Sequence, residues 1–250
     1  MTARAWLPAF SGAVLVAALL AAWLILFEIA GPQAMTPPME TFRYLGYLLT
    51  TDSFWGHLVE TMRAFLFALA LSILLGLAIG ILLGAHRFSG EVAEPVLVAF
   101  YSIPKITLYP IILLAFGLGL PAKIAFGTIH GVVPVAIIAM GAVRGVNPVL
   151  LKTARVLRLR PVKVVTSVLL PAALPEIFTG LRVGFSLTLI GTLLGEMFGA
   201  QRGLGYLLMT AIGLQNVKLI MAVTLLIVLF AASVSTLLVV IDRRLHRRIP

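Results

Sequence analysis

The chain is 250 residues long, 61% hydrophobic and only 11% charged, with a mean hydropathy of +1.11. A soluble domain of this length carries about a quarter charged residues, so the composition excludes a soluble fold and requires an integral membrane protein. The formal charge of +10 is therefore read against a bilayer and not against nucleic acid, and the lack of cysteine excludes a disulfide scaffold or a thiolate metal centre.

About 20 apolar residues cross a bilayer core, and six stretches reach that length. The first, Leu7–Phe27, is longer than the apolar core of a signal peptide and has no clear small-x-small cleavage site before Glu28, so it reads as a retained span. Gly31–Ser53 is too polar, and too rich in Pro, Gly and Thr, to cross. The second span, Phe65–Ala85, is uncharged. Its Gly76, Gly80 and Gly84 step by four, a small-residue face for close helix approach rather than a ligand site. The third, Pro95–Leu118, is interrupted by Pro104, Lys105 and Pro110, and the fourth, Lys123–Val143, contains His130 and Pro134. Arg182 enters the fifth, Ile177–Ala200, near its start and Glu196 near its end; the sixth, Leu219–Ile241, is uncharged. The expected fold is an all-α integral membrane protein of six transmembrane helices. Residues 1–55 form an N-terminal helix with its outer loop, 56–241 a core of five spans including a polar loop at 144–176, and 242–250 a basic tail.

That polar loop organises the rest. In Lys152–Ile177 five basic residues (Lys152, Arg155, Arg158, Arg160 and Lys163) precede an apolar stretch and the pairs Leu170-Pro171 and Leu174-Pro175. Pro161 holds Arg160 out of the α region, which predicts helix, turn, helix. Val164, Val165, Val168 and Leu169 give the second helix an apolar face. Such a hairpin suits docking to a soluble partner; the plainer reading is a basic loop touching lipid headgroups. With the N-terminus inside, the cytoplasmic side collects Arg4, Arg87, Arg144, the hairpin's basic residues, Arg182, Arg243, Arg244, Arg247 and Arg248. The outside keeps Arg43, Lys123, Arg202 and Lys218, and Arg63 and Lys105 fall in or at the edge of spans. The positive-inside rule places the hairpin, and both termini, in the cytoplasm.

The hairpin has the spacing of the cytoplasmic E-A-A loop of ATP-binding-cassette (ABC) importer permeases. The triplet falls on Lys152-Thr153-Ala154, the glycine position on Arg158 and the ending on Val168-Leu169-Leu170-Pro171, so a lysine stands for the acid and an arginine for the glycine. HLVETMRAF (57–65), SIPKITLYPIILLAFGLG (102–119) and GEMFGAQRGLGYLL (195–208) resemble the branch of those permeases that handles sulfonates, taurine, nitrate and some vitamin precursors. The resemblance implies a type I importer permease in the plasma membrane, paired with a second copy of itself. It also implies two ATPase subunits that bind the ATP, and a periplasmic or lipid-anchored binding protein that delivers substrate. No cofactor is expected in this chain. The coupling loop would comprise Lys152, Thr153, Ala154, Arg155, Leu157, Arg158 and Pro171. Glycine at the position of Arg158 would permit a left-handed turn that arginine adopts poorly, which predicts a turn shifted toward Pro161 or a different helix spacing.

Three further residues are site candidates. A straight count from Pro95 puts Lys105 about 15 Å deep, where a charge faces a cavity or a partner. Next to the break at Pro104 it would line the path of an anion; if the span starts later it snorkels to the headgroups. His130 either contacts substrate or hydrogen-bonds a neighbouring helix. Glu196 is an outer-gate candidate, with Arg202, Lys123 or Arg63 as its basic partner, or else an interfacial carboxylate in water. Glu60 and Arg63, at i and i+3, read as a surface ion pair.

No second histidine or carboxylate stands at metal-ligand spacing from His130, and neither GxxxxGK[ST] nor a nucleophile elbow occurs, so no catalytic or metal residue is expected and the chain cannot itself split ATP. The alternatives are the same importer class carrying a thiamine-pyrimidine or riboflavin-type precursor, and a stand-alone secondary transporter, which predicts inverted repeats that the halves do not show.

Overall fold

The computed structural model describes the backbone of residues 6–248 and the side chains of residues 12–244. Arg4 and the side chains of Arg247 and Arg248, placed inside by charge, lie outside the described residues. The described residues are helical and contain no strand: α1 (Trp6–Ala30), α2 (Pro38–Leu48), α3 (Asp52–Ala85), α4 (Arg87–Ser102), a 3-10 turn (Lys105–Leu108), α5 (Tyr109–Phe116), α6 (Leu120–Arg144), α7 (Pro148–Val156), α8 (Pro161–Val164), a π turn (Val165–Leu169), α9 (Leu170–Gly199), α10 (Leu204–Gly213) and α11 (Val217–Arg248). Five of these helical stretches are long and apolar enough to span, and a sixth span exists where α4 and the helical segment Lys105–Phe116 are taken together.

Two expectations are corrected. The third span is broken at Pro104, as the sequence predicts, and its halves meet at 84°. A depth for Lys105 counted along a straight helix therefore does not hold. The helix of the fifth span does not begin near Ile177, because α8, the π turn and α9 run on as one helical stretch, Pro161–Gly199. The second arm of the hairpin is thus continuous with the helix that spans. Pro171 has no N–H to offer the carbonyl of Ser167, and the wide turn over Val165–Leu169 lies just before that gap.

One compact unit holds Met1–Trp55 and Leu207–Leu229. In it α1 presents exposed apolar side chains, none of them buried from Gly12 to Ala30. The indole of Trp23 donates to the Thr36 carbonyl at 3.0 Å, and the Thr36 and Thr41 hydroxyls meet at 2.6 Å. The polar stretch after α1 is thereby folded into an amphipathic helix, with Thr41, Leu45 and Leu48 inward and the Glu40–Lys218 pair at 2.7 Å.

The other unit, Gly56–Tyr206 with Phe230–Pro250, carries the core. It is built on α6 against α9, with α3 alongside. Gly76, Gly80 and Gly84 bring α3 onto Val135, Ala139 and Val143 of α6, leaving no room for a Cβ, the close approach their spacing predicts. Phe65, Phe185 and Phe230 form an aromatic cluster packed with Leu189, the rings of Phe65 and Phe185 edge-on at 5.3 Å. Between the helices the hydroxyls of Ser72, Thr188 and Thr192, all fully buried, hydrogen-bond one another or neighbouring carbonyls. In a bilayer a buried hydroxyl has no water to turn to, so such a seam favours one packing register.

Candidate functional site

Within the core unit, functional side chains gather at the two ends of α6 and α9, roughly 36 Å apart along α6 at 1.5 Å per residue.

At the α6 C-terminal end, Asn147 caps α7 by accepting the Val149 N–H at 2.9 Å, and Pro148 sits where its missing donor costs nothing. Ala154 faces inward at 2% exposure, whereas Lys152, Thr153 and Arg155 face out. The helix then stops in a Schellman motif: Leu159 N–H donates to the Ala154 carbonyl at 3.1 Å and Arg158 N–H to the Arg155 carbonyl at 2.9 Å. Arg158 itself has φ 48°. The turn has not shifted toward Pro161; arginine takes the left-handed position that glycine would fill. Arg160 is extended, as Pro161 after it requires. The resulting surface is basic and apolar at once, with Val156 81%, Leu157 64% and Val162 73% exposed beside Arg155 and Arg158. Pro171 lies exposed just after the π turn.

The hairpin is tied to the bundle by Val143, Val146, Ala173 and Ile177. Arg144, the last residue of α6, reaches Glu94 at 2.7 Å and Glu91 at 3.9 Å on α4. Arg182 on α9 lies 3.6 Å from Asp242 on α11. These links join helices far apart in sequence, and spacing alone gives no sign of them.

At the other end lies a buried charge cluster. Lys123 of α6, 1% exposed, stands 3.1 Å from Glu60 of α3 and 3.7 Å from Glu196 of α9, which is fully buried. Of the three basic partners weighed for Glu196, Lys123 is the one in range. Arg202 enters through its main chain, its carbonyl accepting from Lys123 at 2.7 Å, and Arg63 is exposed. The Glu60–Arg63 pair is therefore corrected: Glu60 turns to Lys123. Glu196 Oε2 accepts from Thr61 at 2.8 Å and from Gly205 N–H at 3.0 Å, while Oε1 has no hydrogen-bond donor among the described residues. Thr61 in turn accepts Leu204 N–H at 2.7 Å, and His57 accepts Gly203 N–H at 3.1 Å. His57, Glu60 and Thr61 share one face of α3 by i, i+3, i+4 spacing, the one signal by which the sequence could have grouped them.

Lys105 opens the 3-10 turn after Pro104. Its ammonium donates to the Tyr101 carbonyl at 2.9 Å and lies 5.0 Å from the Tyr101 ring. With the helix broken, that carbonyl has lost its i+4 amide, and the lysine side chain replaces it. His130 bonds the Phe126 carbonyl of its own helix at 2.9 Å, and its ring packs on Gly191 of α9. It thus joins the two helices by packing and not by a cross-helix hydrogen bond. The structure does not bring His130 or Lys105 into the charge cluster.

Residues 72–249 match the family described as the binding-protein-dependent transport system inner membrane component. The chain belongs to that family. A probable ABC transporter permease protein of Haemophilus influenzae is 33% identical over 194 residues, 77% of this chain and 78% of the relative. The taurine transport system permease protein of Escherichia coli is 27% identical over 202 residues, 78% of this chain and 74% of that one. Among solved structures, the MetNI methionine ABC transporter superimposes with a TM-score of 0.67 at 22% identity, over 80% of this chain and 96% of that one, a likeness of fold. The permease is accordingly a multi-pass inner-membrane subunit of an ABC importer. It is not an enzyme: ATP is hydrolysed by a separate ATPase, and a binding protein presents the cargo.

Proposed function

We propose that this permease, as a pair of identical copies with two ATPase subunits, moves a small anion of the sulfonate type inward by alternating access. The ATPase seats on α7 and the turn at Arg158, on the cytoplasmic face. The observation that carries the docking reading is the exposed combination of Val156, Leu157 and Val162 with Lys152, Arg155 and Arg158. Apolar area of that kind, set among charges outside the spans, is characteristic of a surface awaiting a protein. The stop at Arg158 fixes the angle of α7, which packs against the π turn leading into α9, so a push on α7 reaches α9 through that turn. At the opposite end the Glu60–Lys123–Glu196 cluster closes the bundle, the gate role for Glu196. The anion reading draws on the taurine relative and on Lys105, whose charge stands at the broken third span beside Pro104. His130 stays a candidate for the path.

Arg155→Glu with Arg158→Glu reverses the charge of the docking surface and touches no core residue. Detergent-purified permease carrying both is expected to capture at least about tenfold less ATPase than the parent, with membrane insertion unchanged. Undiminished capture overturns the docking assignment. The cargo is read separately, from calorimetric titration of the cognate binding protein: a sulfonate is expected to bind, whereas binding of a pyrimidine or flavin precursor alone would replace the anion reading.

A further inference from the structure

The turn between α9 and α10, residues 200–203, is held in an unusual way. Over residues 202–205 one main-chain group of each residue is taken by a different side chain. Lys123 donates to the Arg202 carbonyl; His57, Thr61 and Glu196 accept the N–H groups of Gly203, Leu204 and Gly205, all within 3.1 Å. The four side chains come from three helices, and three of them (Thr61, Lys123 and Glu196) are 1% exposed or less. Gly203 is at φ +125°, and a Cβ there would strike the Glu196 carboxylate. Burying a carboxylate and an ammonium is costly before their attraction is counted. Anchoring a helix end needs far less than this. At the crest of the turn, by contrast, Gln201 and Arg202 are exposed.

We infer that this turn is a pre-set docking element for the binding protein, and that the Arg202 guanidinium pairs with a carboxylate on that protein's surface. The inference rests on the proposed orientation, which puts the turn outside. The family supplies a partner that must meet this face, and the exposed charge fixes its chemistry as acidic. A turn already immobile loses no further freedom on docking, which is where the rigid scaffold gains affinity. Lys123 and Glu196 are positioning residues here: they act through the main chain of the turn and do not themselves meet the partner.

The test uses the full transporter in nanodiscs, its own ATPase and its purified, cargo-loaded binding protein. Arg202→Glu is expected to raise the binding-protein concentration for half-maximal ATPase stimulation by about tenfold at low salt. Basal and maximal rates should stay at the parental level, and Arg202→Lys should stay within about twofold of the parent in all three readings. The gap between Arg202→Glu and the parent should narrow as salt is raised, since an exposed pair is screened over about 10 Å at 0.1 M. An unchanged half-maximal concentration for Arg202→Glu overturns the proposal, as does a loss confined to the maximal rate. If the parental complex is not stimulated at all, the importer reading itself fails, and this proposal with it.

Discussion

Arg158 shows how one residue can be at odds with its place while the fold stands. Left-handed backbone costs a non-glycine residue roughly 1–2 kcal/mol. Glycine would relieve that strain, but it would also add about 0.5–1 kcal/mol of unfolded-state freedom to be lost again on folding. The difference decides the direction: Arg158→Gly is expected to stabilise the end of α7 by about 0.5–1 kcal/mol. Exchange of the Arg158 and Leu159 amides, which close the Schellman motif, should slow by about two- to fivefold. Faster exchange would mean that the arginine side chain contributes more to the turn than its backbone strain removes. Slower exchange, the expected result, leaves the reason for an arginine there to the proposed docking surface, where its charge is exposed, and not to the turn. Gln215, at φ 53° in the same hydrogen-bonded stop after α10, shows that this chain closes a second helix without glycine in the left-handed position.

At the scale of helices, what the sequence disclosed follows from which forces have a short period. Apolar length reports the spans, because each must match the bilayer within one stretch of chain. Gly76, Gly80 and Gly84 reported a packing face, because a step of four returns to the same side of a helix. Pro161 reported the hairpin through its effect on Arg160. Helix ends lying beyond the hydrocarbon were hidden. α3 starts at Asp52, well before the apolar run at Phe65, since a helix can continue through polar residues once its hydrogen bonds are made. The bend between α4 and α5 was legible as an interruption at Pro104 and not as an 84° turn. The π turn before Pro171 was hidden too. As for the charge cluster, Glu196 stood out as a carboxylate within a span, but Lys123 had to be chosen from three candidates. His57, Thr61 and the main chain of 202–205 join it only because α3, α6 and α9 meet, and no local pattern encodes that meeting.

The core unit is polarised, and its two ends differ in kind. One end of the core unit displays basic and apolar side chains on α7 and its turn. The other hides its charges, with Lys123 at 1% exposure and Glu196 at none, and shows Gln201 and Arg202 at the crest of a fixed turn. A transporter driven from one side and loaded from the other needs this asymmetry. The motor side takes repeated conformational load, and the loading side must recognise a partner and reseal. The assignment of sides rests on the distribution of arginine and lysine, and it can be checked directly because the chain has no cysteine. Val162→Cys replaces an exposed side chain of the hairpin, and Gln201→Cys one of the turn; neither removes a buried contact. In intact spheroplasts a membrane-impermeant maleimide is expected to label Gln201→Cys fully. It should leave Val162→Cys unlabelled until the membrane is permeabilised. Labelling of Val162→Cys from outside would invert the molecule, placing the ATPase surface and the binding-protein turn each on the wrong side of the membrane. Protection of both would mean that the turn is covered even without its partner, and the docking reading of Arg202 would fall while the orientation of the hairpin stood.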